Sequence, residues 1–349
     1  MKTKKGSLIT VQQILLLSGF ILLAIYAQTI LLPLVLGTLF AMITIPIIQF
    51  FQNKGIPIVL AKIFSIVCFA VFIAIFLSGI ALQASIISSK WSDIEKKITK
   101  TQQSYSDSEA SKTINSLSSG KNSYFKPTLE SIFQALQEAV IGLVGSFLSM
   151  LAYLGTAFLF MILIILEKER IEGFFKKLYP KDKQKIIFSA LRESIETINS
   201  YVWGRLLLTG ILAVVYSIFF SIIGLKFAIP VAIMVALFNI IPYAGNLISI
   251  VFLVLISLLS DNSMFVASMT IGTIFLYQFI ESNILEPWIL GGSVGVNPLT
   301  TVIALALFTT VWGIFGTLMA VPVSGIIRIF LSHSDHFKAT AYLMSDGEV

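Results

Sequence analysis

Four polar side chains near residue 280 have the types and the spacing to handle a solute or an ion. Gln278 and Glu281 are three residues apart, so a helix places them on one face, and Asn283 and Glu286 follow closely. They lie at the end of an apolar stretch, 264–283. A carboxylate beside such a stretch costs several kcal/mol unless it is paired or hydrated, and it usually marks a solute or ion path. We predict that these four residues serve transport or ion coupling, with Glu281 as the leading candidate.

Two structural explanations compete with that role for Glu281. The carboxylate could lie in water at a membrane interface, or it could form an ion pair with a cation such as Arg205. Arg205 stands one turn into another apolar segment, where the simplest expectation is that it reaches toward lipid headgroups. Glu286, which precedes Pro287, is expected at the interface.

A second set of residues interrupts the apolar segment 227–260. As one straight helix, its 34 residues would measure roughly 50 Å, well beyond the roughly 30 Å of the hydrocarbon core. Proline removes an amide donor and glycine loosens the backbone, so the segment is predicted to break into half-helices or a re-entrant hairpin. Side chains at this break either line a solute path or satisfy the freed backbone groups. The residues are Asn239, Pro242, Tyr243, Gly245 and Asn246.

The apolar segment 299–331 repeats this pattern. It is again too long for one straight span, and Gly313, Gly316 and Pro322 interrupt it. We predict that these three residues act as hinges or close-packing points. Two over-long segments broken by proline or glycine are typical of transporters with discontinuous helices.

The overall composition indicates a membrane protein. Of 349 residues, 56% are apolar and only 12% are charged, and the mean hydropathy is +0.92. A soluble domain carries about twice that share of charges, so this chain lacks the polar surface that water requires. Its apolar residues form long blocks rather than the alternating pattern of barrel strands. The predicted fold is an all-α, polytopic helical membrane protein with about eight hydrophobic segments, of which 227–260 and 299–331 are the longest and are broken or re-entrant.

Several classes of protein are not expected. The single cysteine, Cys68, lies in an apolar stretch, and His333 and His336 stand in the polar tail, so no metal site is predicted. The chain has no G-x-x-x-x-G-K-[ST] motif, and no cofactor is expected. The net charge of +6 is spread over loops beside spans, which indicates membrane topology and not nucleic-acid binding. An enzyme is not expected either, because the apolar segments hold no buried histidine or pair of acids.

Changes in composition divide the chain into six parts. Residues 1–84 hold three spans, 85–131 form a polar excursion, 132–166 form a fourth span, 167–200 form a charged loop and amphipathic helix, 201–331 form a core with broken helices, and 332–349 form a tail. The distribution of lysine and arginine beside the spans predicts that the N-terminus, the loop 167–200 and the tail are cytoplasmic. The excursion 85–131 is then extracytoplasmic.

The interrupted segments also carry a family resemblance. Ile241-Pro242-Tyr243-x-Gly245 resembles an I-P-Y-x-G signature. A second, C-terminal signature of the same family is matched by Gln278-x-x-Glu281-x-Asn283 followed by Pro287, Gly291, Pro298, Gly313-x-x-Gly316 and Pro322. The early prolines Pro33 and Pro46 match the family as well. On these residues the chain is similar, over essentially its whole length, to the AI-2E family (the autoinducer-2 exporter family, also called PerM-like). Asn246 departs from the pattern, since many members have proline there.

The resemblance implies a homo-oligomeric transporter of the bacterial cytoplasmic (inner) membrane, which exports autoinducer-2 or exchanges sodium or lithium for protons. Residues and resemblance together leave three functions open. The first is export of a small polar molecule by alternating access, the second is cation/proton antiport using Glu281, and the third is a non-transporting scaffold that acts through 85–131. The expected partners are the lipid bilayer and a small polar solute or a monovalent cation.

Overall fold

The computed structural model describes residues 19, 22–106, 151–240, 244–257, 263–290, 292–334 and 336–347, and nearly all of them are helical. In chain order the helices are α1 (Gln28–Asn53), α2 (Ile58–Ser106), α3 (Leu151–Leu166), α4 (Lys168–Leu178), α5 (Lys181–Ile223), α6 (Ala228–Phe238), α7 (Ala244–Ser257), α8 (Ser263–Ile280), α9 (Glu286–Ile289), α10 (Pro298–Ser332) and α11 (Lys338–Met344). A π-helical turn, Glu281–Leu285, joins α8 to α9. The prediction of an all-α fold is confirmed.

Five helical stretches in the described residues are long and apolar enough to cross a membrane. They are Gln28–Asn53, Ile58–Gly79, Lys181–Ile223, Met264–Ile289 and Pro298–Ser332. A sixth is added if α3 and α4, which meet at a bend of 66°, count as one broken span. The protein is therefore a multi-pass helical membrane protein, but the predicted number of about eight segments is not confirmed.

The chain divides into two compact units. The first comprises Met1–Cys68, Met150–Val202 and Gly292–Val349, and the second comprises Phe69–Ser149 and Trp203–Gly291. Helices α2 and α5 are each divided between the two units. Of the predicted break residues, those at 239–246 belong to the second unit and those at 313–322 belong to the first.

In the first unit, α1 packs closely on α3 because Gly37 has no side chain. A Cβ atom at Gly37 would lie only 2.6 Å from the carbonyl oxygen of Ala157 and 2.7 Å from the Cβ of Phe160. Small residues permit this kind of close approach between membrane helices. The apolar core beside the contact is formed by Leu32, Leu36, Leu39, Ala157, Ile198, Phe315 and Met319.

Helix α10, also in the first unit, folds back on itself at Gly313. This glycine has φ 58° and ψ −138°, a conformation that residues with a side chain rarely adopt. Eight residues apart in sequence, Thr309 and Thr317 form a hydrogen bond between their hydroxyl groups. The missing side chain at Gly316 lets the backbone lie against the carbonyl oxygen of Phe308. The segment 298–332 is thus a helical hairpin, which confirms the prediction that 299–331 is broken or re-entrant.

In the second unit, α6 and α7 pack against each other as another hairpin. They have 11 and 14 residues. At about 1.5 Å per residue, neither can cross a hydrocarbon core of roughly 30 Å alone. The rings of Phe238 and Phe252 meet edge to face, with centroids 5.8 Å apart. Because Gly245 has no Cβ, the start of α7 lies directly against the carbonyl oxygen of Phe238. The predicted break of 227–260 is confirmed.

Two boundaries that composition suggests fall inside helices. Helix α2 continues from the third span as far as Ser106, and residues 107–131 of the excursion lie outside the described residues. Helix α5 is continuous, so the amphipathic stretch that ends at residue 200 and the span that follows it form one helix. Only residues 151–166 of the fourth span are described.

Candidate functional site

The carboxylate of Glu281 is buried at the end of α8, in the second unit. The residue is 2% exposed and is the first of the π-helical turn Glu281–Leu285. Such turns are frequent at functional sites, where they change the direction in which side chains project. Because an acid inside an apolar span needs compensating contacts, the partners of Glu281 define the site.

Two residues, one on α5 and one directly after α6, supply those partners. Asn239 Nδ2 lies 2.7 Å from Oε1 and 2.7 Å from Oε2 of Glu281. Arg205 Nη1 lies 3.3 Å from Oε1 of Glu281 and forms an ion pair with it. Of the two structural explanations for Glu281, the ion pair is confirmed, whereas the low exposure contradicts a carboxylate hydrated at the interface.

Arg205 connects α5 to the end of α6 and to the π-helical turn. Its Nη2 donates a hydrogen bond to the backbone carbonyl oxygen of Asn239, and its Nη1 lies 3.7 Å from Oε1 of Glu286. Arg205 is 8% exposed, so the expectation that it reaches lipid headgroups is wrong. The candidate site inferred from sequence omits Arg205. The signal that could have included it is an arginine one turn inside an apolar helix, which is costly unless it is paired.

A glycine beside Arg205 lies where α5 approaches the end of α9. A Cβ atom at Gly204 would lie 2.6 Å from Cδ2 of Leu290, the flexible end of that side chain, and 3.6 Å from the carbonyl oxygen of Ile289, so α5 is in close contact with the end of α9 here. The adjacent Arg205 side chain reaches Glu281, the first residue of the π-helical turn, and Glu286, the residue that follows the turn. The contact at Gly204 thus places Arg205 beside the π-helical turn.

Asn239 lies immediately after the last residue of α6, where the chain leaves the helix. The last carbonyl groups of a helix have no intrahelical donors and carry a partial negative charge. At this end the Arg205 guanidinium group satisfies the Asn239 carbonyl, while the Asn239 side chain binds Glu281. Backbone freed at a break is tolerated within a membrane where protein surrounds it, and these contacts meet that requirement.

A second, uncharged polar group joins α7 to α8. Asn246 Nδ2 donates to Oε1 of Gln278, and Gln278 Nε2 donates to the hydroxyl of Ser282 at 2.9 Å. Asn246 and Gln278 are half-buried, and Ser282 directly follows Glu281 in the chain. Amide and hydroxyl groups both donate and accept hydrogen bonds, so this group can bind the hydroxyl or carbonyl groups of a solute.

The remaining predicted residues of this region differ in position. Asn283 is exposed and donates to a carbonyl one turn back, at 2.8 Å, so it does not join the cluster. The Glu286 side chain is 46% exposed and still reaches Arg205. Pro242 and Tyr243 lie outside the described residues.

The predicted hinge and packing residues belong to the first unit. Gly313 is the point at which α10 folds back, and Gly316 is the close-packing position next to it. Pro322 is buried, and the helix continues through it, so the break occurs at the glycine and not at the proline. Among the described residues, no group of three or more histidine, cysteine, aspartate or glutamate side chains could hold a metal ion.

The fold and the site together define a multi-pass helical membrane protein with broken helices and with a buried ion pair beside the break that follows α6. A model of one protein family, described as AI-2E family transporter, matches residues 14–335. The chain therefore belongs to the AI-2E transporter family, as its sequence motifs predict, and membership supports a role as a membrane transporter.

Individual relatives are similar to different extents. The chain is 31% identical over 156 residues to "Putative transport protein YrrI" of Bacillus subtilis (strain 168), covering 45% of this chain and 44% of that protein. It is 22% identical over 186 residues to "AI-2 transport protein TqsA" of Escherichia coli (strain K12), covering 53% of each. These alignments span about half the length of the relatives. The match to "Putative transport protein YhhT" of Escherichia coli (strain K12), at 21% identity, covers 92% of this chain and 89% of that protein.

Proposed function

We propose that this protein is a carrier, not an enzyme, which moves a small polar solute across the bacterial cytoplasmic membrane by alternating access around its broken helices. The observation that supports this most directly is the buried cluster of Arg205, Asn239 and Glu281 at the end of α6. Burying an ion pair costs several kcal/mol per ion, and apolar side chains would join the same helices more cheaply. In transporters with discontinuous helices, the breaks are where solutes and coupling ions bind.

The chemistry of the site favours a solute without a strong net charge. Arg205 and Glu281 neutralise each other, while Asn246, Gln278 and Ser282 present amide and hydroxyl groups. Autoinducer-2 is the first solute to test, because a relative carries the name AI-2 transport protein. The chain has no nucleotide-binding motif of the P-loop type, and we propose that gradients or downhill flow drive the movement.

Flux through reconstituted protein tests this proposal. Proteoliposomes loaded with autoinducer-2 should release it faster than equally loaded liposomes that contain no protein. Glu281→Gln should slow release by about tenfold or more, because a charge-assisted hydrogen bond worth about 1.5–3 kcal/mol is lost. Glu196→Gln is the matched control, since Glu196 is an exposed acid paired with Arg192 on the surface of α5. Equal release from wild-type and empty liposomes would rule out autoinducer-2 as the solute.

Sodium(lithium)/proton antiport is the second candidate, because Glu281 is a buried acid at a helix break. Under this hypothesis Glu281 alternately binds a proton and a monovalent cation. A proton-sensitive dye inside the proteoliposomes should then respond to added sodium or lithium but not to choline. If the dye stays silent while autoinducer-2 efflux continues, antiport is excluded and export is retained.

The membrane placement is also part of the proposal. We infer an inner-membrane protein with a cytoplasmic N-terminus that assembles as a homo-oligomer, from the distribution of basic residues and from the family resemblance. Cysteine accessibility at positions 239, 246, 283 and 286, in a Cys68→Ser background, would show which of these side chains meet water and from which face. Cross-linking in native membranes would report the oligomer.

A further inference from the structure

The oxygen atoms around the Arg205 guanidinium group are of the kinds that bind metal cations. They are Oε1 of Glu281 at 3.3 Å, Oε1 of Glu286 at 3.7 Å and the backbone carbonyl oxygen of Asn239. Carboxylates and backbone carbonyls are the ligands that hard cations prefer. An inorganic cation at this position would find two carboxylates and one carbonyl, but the guanidinium group already occupies it.

The position itself attracts positive charge. Asn239 directly follows the last residue of α6, and the C-terminal end of a helix acts as roughly half a negative charge. Carbonyls and helix C-termini at the breaks of discontinuous helices are where transporters coordinate sodium. The charge of Glu281, which is 2% exposed, adds to this field. A positive charge at this position therefore stabilises the folded unit.

We infer that Arg205 is a tethered cation, which takes the place of an inorganic coupling ion at the break between α6 and α7. Because the positive charge is covalently attached to α5, the site needs no sodium or lithium to stabilise its carboxylates. Arg205 thereby determines which ions the protein responds to. The inference deepens the proposed function, since it identifies what neutralises the site of the carrier, but it concerns binding and can be tested without measuring flux.

The arrangement of donors suits arginine in particular. Nη1 faces the two carboxylates and Nη2 faces the carbonyl, so the planar guanidinium group contacts acceptors through both of its terminal nitrogens. The Nε atom has no partner among the described residues, so the two terminal nitrogens make all the contacts seen there. A lysine would keep the charge but would place it on one nitrogen.

Removing the tethered charge should create a site for a free cation. We would purify wild-type protein, Arg205→Met, Arg205→Lys and the double variant Arg205→Met/Glu281→Gln. Their melting temperatures would be compared in sodium, lithium, potassium and choline chloride at one ionic strength. The melting temperature of wild type should not depend on the salt, and neither should that of Arg205→Lys. Arg205→Met should melt lower in choline and should recover most of the loss as sodium or lithium rises, with saturation.

The double variant provides the specificity control. Without the Glu281 carboxylate, the cation loses its buried ligand, so Arg205→Met/Glu281→Gln should show the same melting temperature in every salt. An Arg205→Met protein that is equally unstable in all four salts would overturn the inference, because Arg205 would then be only a structural ion-pair partner.

The wild type and the lysine variant decide the question if Arg205→Met cannot be purified. A melting temperature of either protein that rises saturably with sodium or lithium overturns the tethered cation and favours antiport. Melting temperatures of wild type and Arg205→Lys that do not depend on the salt support the tethered cation. Because melting temperature is the readout, failure of this inference leaves solute transport untouched. Absence of flux with the predicted salt pattern intact would contradict the transport proposal alone.

Discussion

The hydroxyl oxygens of Thr309 and Thr317 lie 2.7 Å apart, although the two residues are eight positions apart in one helical segment. In a straight helix they would be separated by about 12 Å along the axis. The segment therefore reverses its direction between them, at Gly313. By length and apolar composition alone, Pro298–Ser332 passes as a membrane span. The contact between the two threonines shows that it is a hairpin.

This hairpin should be detectable by a disulfide. We expect Thr309→Cys/Thr317→Cys, in a Cys68→Ser background, to form an intramolecular disulfide on mild oxidation, because the two side-chain oxygens are in contact. Mass spectrometry of protease digests would identify the linked peptides. The control pair is Thr310→Cys/Thr317→Cys, since Thr310 is exposed and bonds instead to the carbonyl oxygen of Ala306. A straight helix would leave both pairs unlinked.

Substitution of Gly313 should destabilise the protein through backbone conformation alone. Gly313→Ala places a side chain at φ 58° and ψ −138°, where it costs about 1–3 kcal/mol, although no atom lies within 4 Å of the added methyl group. Gly173→Ala is the matched control, because Gly173 lies in helix α4, also in open space. Unfolding in increasing denaturing detergent should separate the two variants. Equal stability of both would contradict the fold-back at Gly313.

Substitution of Gly245 should act through packing instead. An added methyl group at this position overlaps the carbonyl oxygen of Phe238, so Gly245→Ala should cost about 1–3 kcal/mol by forcing α6 and α7 apart. Gly272→Ala on α8 is the control, since nothing lies within 4 Å of its added methyl group. Alanine at that helical position should be neutral or stabilising by up to about 1 kcal/mol. Thermal unfolding of the purified variants measures both changes.

The buried ion pair should behave as one unit. In choline chloride, Arg205→Met should lower the free energy of unfolding by about 3–5 kcal/mol, because it leaves Glu281 buried without its counter-charge. Glu281→Gln should also destabilise, and the double variant should lose less than the sum of the two losses by at least about 1 kcal/mol. The exposed pair Arg192 and Glu196 is the control cycle, with a coupling within about 0.5 kcal/mol. Additive losses at the buried pair would mean that the two charges do not interact.

Much of the architecture follows from local composition. The length and apolar content of 227–260 and 299–331 exceed what one straight span needs, and the glycines and prolines within them weaken helix locally. The prediction that both are broken or re-entrant is confirmed, as is the family. Local composition was less reliable about which residue makes the break, because Pro322 stays within a helix while Gly313 adopts a conformation that only glycine tolerates well.

The partners of the polar residues could not be predicted with the same success. Asn239 and Asn246 look equivalent in sequence, yet one binds Glu281 and the other binds Gln278. Asn283 is two residues from Glu281 but lies outside the cluster, because side chains two positions apart in a helix project from opposite faces. The transport roles of these residues remain predictions.

By itself, the amino-acid sequence determined that this is a helical membrane protein with interrupted segments, because hydropathy and helix-breaking residues act over short distances along the chain. The tertiary structure alone decided that Arg205 pairs with Glu281, 76 positions away, and that it also caps the carbonyl of Asn239. Which charges meet depends on where distant helices pack, and the contact of Gly204 on α5 with Leu290, which follows α9, is visible only in the folded structure.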